Sequence, residues 1–405
     1  MRVMNNMKIT KYFDRAILFF MAILILILPV AHTTSLRAAC IILPVMLWLT
    51  RVVVNKERWC GRTPLDIPII IFAATVLLSL FTSLKISVSL NELRGELGTQ
   101  VLLFYLIVNN IKREEQVKLI IFALGLGSLI MGVYGIADFF IDGGSMVSYA
   151  VRAGSLHQGF GAYAHYIIMV LPFLVVGIFY TSDHKYRFLL IILILLNIFA
   201  LYITFTRGAW VAFFVEIFMV LFIFSKKKWI PVLLLFPVFL LPFFLPKSIV
   251  FHEEKIITGS TYTSDRRLAM WRVAVKGMAD NPFKGAGYGK VNFQRRFLND
   301  ENKHFLMDQA HNSFVNIAVQ LGIQGLFALL FIIYRVLKMN WTGYKRITAG
   351  FSGYFFVSTF IMTIGYFVGN LFVEFYIDDS ALMFWLLVGL STALFIRERP
   401  KAESL

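Results

Sequence analysis

Charge is scarce in this 405-residue sequence. Only 15% of its residues are Asp, Glu, Lys or Arg, and 59% are hydrophobic, where a soluble domain has about a quarter charged and about half apolar. That shortage excludes a water-soluble globular chain. Cysteine is nearly absent: of the two, Cys40 and Cys60, one falls near the outer end of a hydrophobic run and the other in a basic connection on the opposite side. They cannot pair, so no disulfide framework holds the fold. Internal repeats and low-complexity tracts are missing, and so is a Walker P-loop. The glycine-rich stretch GAGYG, Gly285–Gly289, follows a helical pattern and not a strand. It therefore fails as a dinucleotide fingerprint and reads as a tight turn after Asn281-Pro282.

What is present is a series of apolar runs about 17–25 residues long, the length that crosses a bilayer. Mean hydropathy is +0.74. The chain is thus expected to be an all-α, polytopic membrane protein, since a backbone facing lipid must satisfy its own hydrogen bonds. Twelve spans are expected, at 16–33, 37–54, 67–84, 95–111, 117–140, 159–180, 187–206, 208–225, 229–246, 313–337, 349–371 and 381–396. These divide the chain into spans one to nine within 1–246, a large loop over 247–312, and spans ten to twelve with a tail over 313–405, all one membrane domain. The stretch LRAAC before Cys40 has arginine where a lipid-attachment site would not. Residues 16–54 read as a two-span hairpin and not as a cleaved signal peptide.

Orientation follows from the cations. With the N-terminus in the cytoplasm, the inner segments carry 23 Lys and Arg, and the short outer segments only Arg37, Lys85, Arg94, Arg152 and Arg207. This is the positive-inside pattern, with both termini cytoplasmic. The net charge of +16 is mostly this signal, and a nucleic-acid partner is not expected. One outer segment departs from the pattern. Residues 247–312 hold eleven basic and seven acidic residues, which suits either an anionic substrate, anionic lipid headgroups or a solvated face.

The polar residues of interest gather on the outer side. Arg207, in TFTRGAW, sits in a very short outer loop where positive charge is disfavoured; it is a candidate functional group or a snorkelling arginine. Residues 264–280, SDRRLAMWRVAVKGMAD, form an amphipathic pattern with Ser264 as N-cap and a stripe of Leu268, Trp271, Val275 and Met278. A helix of this kind lies along a membrane surface and presents Arg266 and Arg267 at headgroup level, where planar guanidinium groups suit phosphate oxygens. His311 stands at the mouth of span ten, beside Asn312. It is either a proton acceptor, the side chain with an ordinary pKa nearest neutrality, or part of a helix cap. His304, Asp308 and His311, spaced i, i+4, i+7, are a weaker alternative as a metal site; no metal or other cofactor is expected. Arg152 and His157 lie at the mouth of span six. His165 lies within that span, where ionisable groups are functional or paired. Glu92, Arg94, Glu374, Asp378 and Asp379 complete the outer polar set.

In order along the chain, TRGAW at 206–210, RLAMW at 267–271, ADNPFKGAGYG at 279–289, AHNSF at 310–314 and LGIQGLF at 321–327 resemble the motifs of the O-antigen ligase and polymerase superfamily. The motif-bearing part is about 206–330. The first half agrees mainly in topology, with the R-x-G element at Arg152 a looser likeness. The resemblance implies a GT-C-like, metal-independent, inverting glycosyltransferase of lipopolysaccharide biosynthesis in a bacterial inner membrane, with its site facing the periplasm. It implies a glycan donor on undecaprenyl pyrophosphate and, in the ligase branch, a lipid A-core acceptor. By the same likeness, Arg207 and Arg267 bind the donor pyrophosphate and His311 activates the acceptor hydroxyl. Arg266, Arg152, Trp271, Asn312 and His157 are then expected to line the substrates. A polymerase of the same superfamily is the alternative within the class, and a polysaccharide-lipid transporter the alternative outside it.

Overall fold

The computed structural model describes residues 2–56, 61–146, 150–157, 159–227, 263–280, 282–297, 310–373 and 379–398, with the backbone alone for residues 2–11, 263–269, 280, 295, 297 and 379. Every regular element among the described residues is helical. In chain order these are α1 (Arg2–Ile27), α2 (Thr34–Asn55), α3 (Asp66–Ser79), α4 (Ile86–Leu93), α5 (Thr99–Asn110), α6 (Glu114–Ile141), α7 (Phe160–Tyr180), α8 (His184–Ile203) and α9 (Arg207–Phe224). After them come α10 (Thr263–Asp280), α11 (Lys290–Phe297), α12 (Ser313–Leu321), α13 (Ile323–Arg346), α14 (Gly350–Gly369) and α15 (Asp379–Arg397). Eight helices among the described residues are long and apolar enough to cross a membrane: α2, α6, α7, α8, α9, α13, α14 and α15. Expected span nine, 229–246, lies outside the described residues, as do 247–262 and 298–309 of the large loop.

Two expected spans take a different form. The span expected at 95–111 is the last part of a helical stretch that begins at Ile86 and passes through a π-helical turn, Arg94–Gly98, before α5. The span expected as one helix over 313–337 is two, α12 and α13, because Gly322 stands at φ 77° and ψ −178°. That conformation is open to glycine and costly for other residues. The apolar run LGIQGLF hides the break.

Three helices form the centre. Burial reaches 72% of α7, 72% of α14 and 78% of α15, against 28% for α2 and α8 on the rim. Without a hydrophobic force between helices in lipid, association depends on close packing and internal hydrogen bonds. Rings supply the packing: Tyr366 stacks on Phe384 at 4.9 Å and Phe104 meets Trp385 edge-on at 5.6 Å. Buried hydroxyls and amides turn back onto their own helices, as Thr359 does to Phe355, Thr363 to Thr359, Thr392 to Val388 and Asn110 to Leu106. The donors of these four groups are therefore satisfied without water.

The connections fall at two ends. At one, Gly61 meets Asn109, Arg335 reaches the Pro64 carbonyl, Tyr180 the Thr348 carbonyl and Arg397 the Glu114 carboxylate. These are the segments richest in Lys and Arg. At the other, Ala31 bonds Leu156, Ala153 bonds Ile203 and Ser313 bonds Asn370. This second end carries Arg207 and His311.

Candidate functional site

His311 is held from both sides. The Trp271 Nε1–H donates to the Ala310 carbonyl at 2.6 Å, and the Ala310 N–H donates to Asn316 Oδ1 at 3.1 Å. On the other side, Asn312 Oδ1 caps α12, accepting from the Phe314 and Val315 N–H groups at 3.0 and 3.1 Å. Between these anchors His311 is half-buried and adopts φ 46°. A left-handed conformation costs a non-glycine residue about 1–2 kcal/mol, and it persists where the surroundings over-determine it, as at functional sites. Phe205, two residues before Arg207, shows the same feature at φ 49°.

One short segment joins Arg207 to His311. Gly208 packs so closely on Phe372 that a Cβ there would stand 2.6 Å from the Phe372 Cβ. Phe372 N–H bonds the Gly369 carbonyl at 2.9 Å. Ser313 Oγ binds Asn370 Oδ1 at 3.0 Å and the Val373 carbonyl at 2.9 Å, and its N–H donates to the Asn370 carbonyl at 2.9 Å. Residues 370–373 thus touch the neighbour of Arg207 on one side and the cap after His311 on the other. Arg207 is the first residue of α9 and is exposed. It makes no ion pair among the described residues. Arg152 lies close by, its guanidinium 4.6 Å above the Phe160 ring, and Thr206 Oγ1 is 3.5 Å from the Phe160 carbonyl oxygen.

The amphipathic helix packs on protein. Met270 and Ala274 are buried with Ala286, Phe293 and Val319, and Val273 and Met278 pack against them. Val275, expected in the apolar stripe, is about half exposed. The contact face is turned by roughly one residue from the expected one because α12 covers it. Ser264, the expected N-cap, lies inside a helix that starts at Thr263.

The glycine-rich stretch fixes this assembly to the bundle. Ala286 and Gly287 N–H groups bond the Val319 and Gln320 carbonyls, and Ile323 N–H bonds the Pro282 carbonyl. Tyr288 is fully buried; its hydroxyl donates to Glu96 at 2.9 Å, its N–H to Ser79 Oγ at 3.1 Å, and its carbonyl accepts from Ser89 at 2.7 Å. Gly289, at φ 109°, leaves room for Glu92, whose carboxylate accepts the Lys290 N–H at 3.0 Å. Burial pushes the Glu92 carboxyl up, against the opposing pull of the Lys290 and Val291 N–H groups and the Lys290 charge. GAGYG is therefore a docking loop, not a nucleotide cradle.

Arg207, Arg152, His311, Asn312 and Trp271 are thus gathered at one end. Arg266 and Arg267 lie on α10, their side chains outside the described residues. His157 sits apart, against the α1–α2 junction near Arg37 and the Tyr166 ring. Burial, with the nearby Arg37 charge, pushes its imidazole down to about 4. Asn312 has its carbonyl oxygen occupied by the helix cap. Among the described residues no three metal-binding side chains cluster; His304 and Asp308 lie outside those residues. Sequence reading overlooked Asn370, Tyr288 and Glu216. Glu216, an acid in the middle of an apolar span, carried a readable signal; Asn370 carried none.

Residues 189–330 match the family model described as O-antigen ligase. No curated protein matches the chain.

Proposed function

The chain is a member of the O-antigen ligase/polymerase superfamily by its residues 189–330, and on that premise we propose that it transfers a glycan from undecaprenyl pyrophosphate to the lipid A-core oligosaccharide at the periplasmic face of a bacterial inner membrane. The observation that carries this reading is the bridge through 370–373, which brings Arg207 and His311 to one end of the bundle. The acceptor hydroxyl oxygen attacks the anomeric carbon. The bond from that carbon to the pyrophosphate oxygen breaks, and undecaprenyl pyrophosphate leaves. His311 takes the hydroxyl proton. Arg207 and Arg267 stabilise the charge that grows on the leaving pyrophosphate. Attack opposite the leaving group inverts the anomeric configuration.

The register of α10 favours Arg267 over Arg266. Arg267 precedes Trp271 by four residues, one turn of helix, and Trp271 is the residue that bonds the Ala310 carbonyl. Arginine supplies the charge, so transfer is expected to survive chelation. Activity lost with EDTA and restored by one metal would revive the His304–Asp308–His311 alternative.

The deciding experiment gives purified protein both undecaprenyl-pyrophosphate glycan and core lipopolysaccharide. The expected product is glycan joined to core, with undecaprenyl pyrophosphate released. Lengthening of the lipid-linked glycan with core ignored would make the protein a polymerase. Passage of intact lipid-linked glycan across the bilayer with neither product would make it a transporter.

A further inference from the structure

Helix α3 carries an exposed apolar face that ends in an aromatic ring. Ile67, Ile71, Ala74 and Leu78 are exposed along it, at spacings that form one helical stripe. Phe81, in the turn Leu80–Thr82 that continues α3, is 89% exposed. The helix begins at the basic end, beside the Pro64 carbonyl that Arg335 holds. The apolar stretch Asp66–Thr82 rises about 25 Å, most of the roughly 30 Å hydrocarbon layer. Phe81 therefore stands at the far edge of that layer, at the end that carries Arg207 and His311.

Another part of the chain brings a second ring to the same place. Thr82 Oγ1 donates to the Lys284 carbonyl at 3.0 Å, and the Arg296 guanidinium donates to the Thr82 carbonyl at 3.1 Å. Asn292 Oδ1 accepts the Leu84 N–H at 3.0 Å. Phe283, just before Lys284, is 73% exposed. Its backbone is pinned, since the Ile323 N–H bonds the Pro282 carbonyl and the Gln324 amide bonds the Phe283 carbonyl. Two phenyl rings on fixed backbone thus project from one junction.

Three cations share that junction. Lys85, Lys284 and Arg296 are exposed, and none of them makes an ion pair among the described residues. The acids of this region are engaged elsewhere: Glu92 accepts the Lys290 N–H and Glu96 the Tyr288 hydroxyl. Lys85 also stands in a short outer segment, where positive charge is disfavoured. Rings and cations together at the edge of the hydrocarbon suit an amphiphile with an anionic head. We propose that this junction binds an anionic phospholipid of the outer leaflet, with Phe81 and Phe283 among its acyl chains and Lys85, Lys284 and Arg296 on its phosphate. Ala286 and Gly287 of the same loop bond α12, the helix that follows His311. A lipid bound here therefore seats that helix at a fixed depth. The proposal rests on the orientation of the bundle and not on the transfer chemistry.

A reporter placed in the junction tests it. Full-length Phe283→Trp protein is reconstituted in mixed bilayers of phosphatidylcholine and phosphatidylglycerol, with bromine on the acyl chains of one lipid at a time. Bromine quenches a tryptophan that it touches, and the difference from wild-type protein removes the signal of the seven native tryptophans. At equal mole fraction, brominated phosphatidylglycerol is expected to quench the added tryptophan at least about threefold more than brominated phosphatidylcholine. That preference is expected to vanish when Lys85→Gln, Lys284→Gln and Arg296→Gln are combined; all three side chains are exposed, so the fold is kept. Equal quenching by both lipids would reduce the rings to ordinary bilayer contacts and overturn the headgroup site. Quenching by neither would place the junction in water or under a protein, and overturn it as well. A preference that survived the triple variant would remove the cations from the site. Each result reads the same whichever glycan or acceptor the protein uses, so failure here leaves the transfer reading untouched.

Discussion

The two ends of the bundle handle charge in opposite ways. At the basic end, several cations pair with nearby acids. Arg51 pairs with Asp14, Arg397 with Glu114 and Glu398, and Lys118 with Glu114 and Glu115. At the other end, the frame around His311 is held by neutral groups: Trp271 to a carbonyl, Asn312 to two amides, Ser313 to Asn370. Arg152 stacks on a ring there, and Arg207 has no carboxylate against it among the described residues. Cations matched internally serve folding. Arg207, set in a neutral frame, is the cation we propose for an anionic ligand. The density of positive charge alone points to the opposite end.

The sharpest test of this contrast is at His311. His311→Ala is expected to lower transfer by about 10²–10⁴-fold, with donor binding little changed, as measured by kcat against donor affinity. Near-wild-type turnover would remove the base from the scheme. Arg207→Lys and Arg267→Lys follow, each with an expected loss of about 10²-fold, because a point charge replaces a planar fork; full activity in both would break the pyrophosphate role. Trp271→Phe keeps the ring but removes the bond to Ala310. It is expected to reduce turnover by about tenfold, with little loss of folded protein.

At the basic end the same kind of change should do little. Glu115→Gln, which removes an exposed partner of Lys118, is expected to leave transfer within twofold and stability within about 1 kcal/mol. A large loss of activity there would erase the distinction between the two ends. His157 gives the smallest effect. Its folded pKa of about 4 lies below the ordinary value near 6.5, so the unfolded chain binds the extra proton between the two. Its contribution to stability is whole above about pH 6.5 and declines as pH falls toward 4. Thermal unfolding of His157→Gln between these values should show a flatter pH dependence than wild type.

The eight long apolar helices among the described residues were legible because a long apolar run has one solution in lipid. The break at Gly322 was not, since glycine within an apolar run reads equally as continuous helix. Arg207 and His311 were legible because each is a polar residue at the edge of an apolar run. Their connection was not: it runs through Asn370 and Phe372, some sixty residues beyond His311, and neither has a distinctive sequence context. The face of α10 was misread because amphipathicity shows that a face is covered without showing by what. Here α12 covers it, and the buried positions are the small Ala274 and the slender Met270, not the exposed Val275.

The helix starts at this end have a further effect on the field there. α12 begins at Ser313, next to His311. Helices α7 and α9 also start at this end, at Phe160 and Arg207. The aligned peptide dipoles give each start about half a positive charge, also at α12, where Asn312 and the Asn370 carbonyl accept the first N–H groups. Three peptide dipoles therefore aim their positive poles at the same region, independently of any side chain and at every pH. Variants lacking Arg207 or Arg267 should accordingly keep a weak, salt-sensitive preference for anions, because that part of the attraction is written into the direction of the backbone.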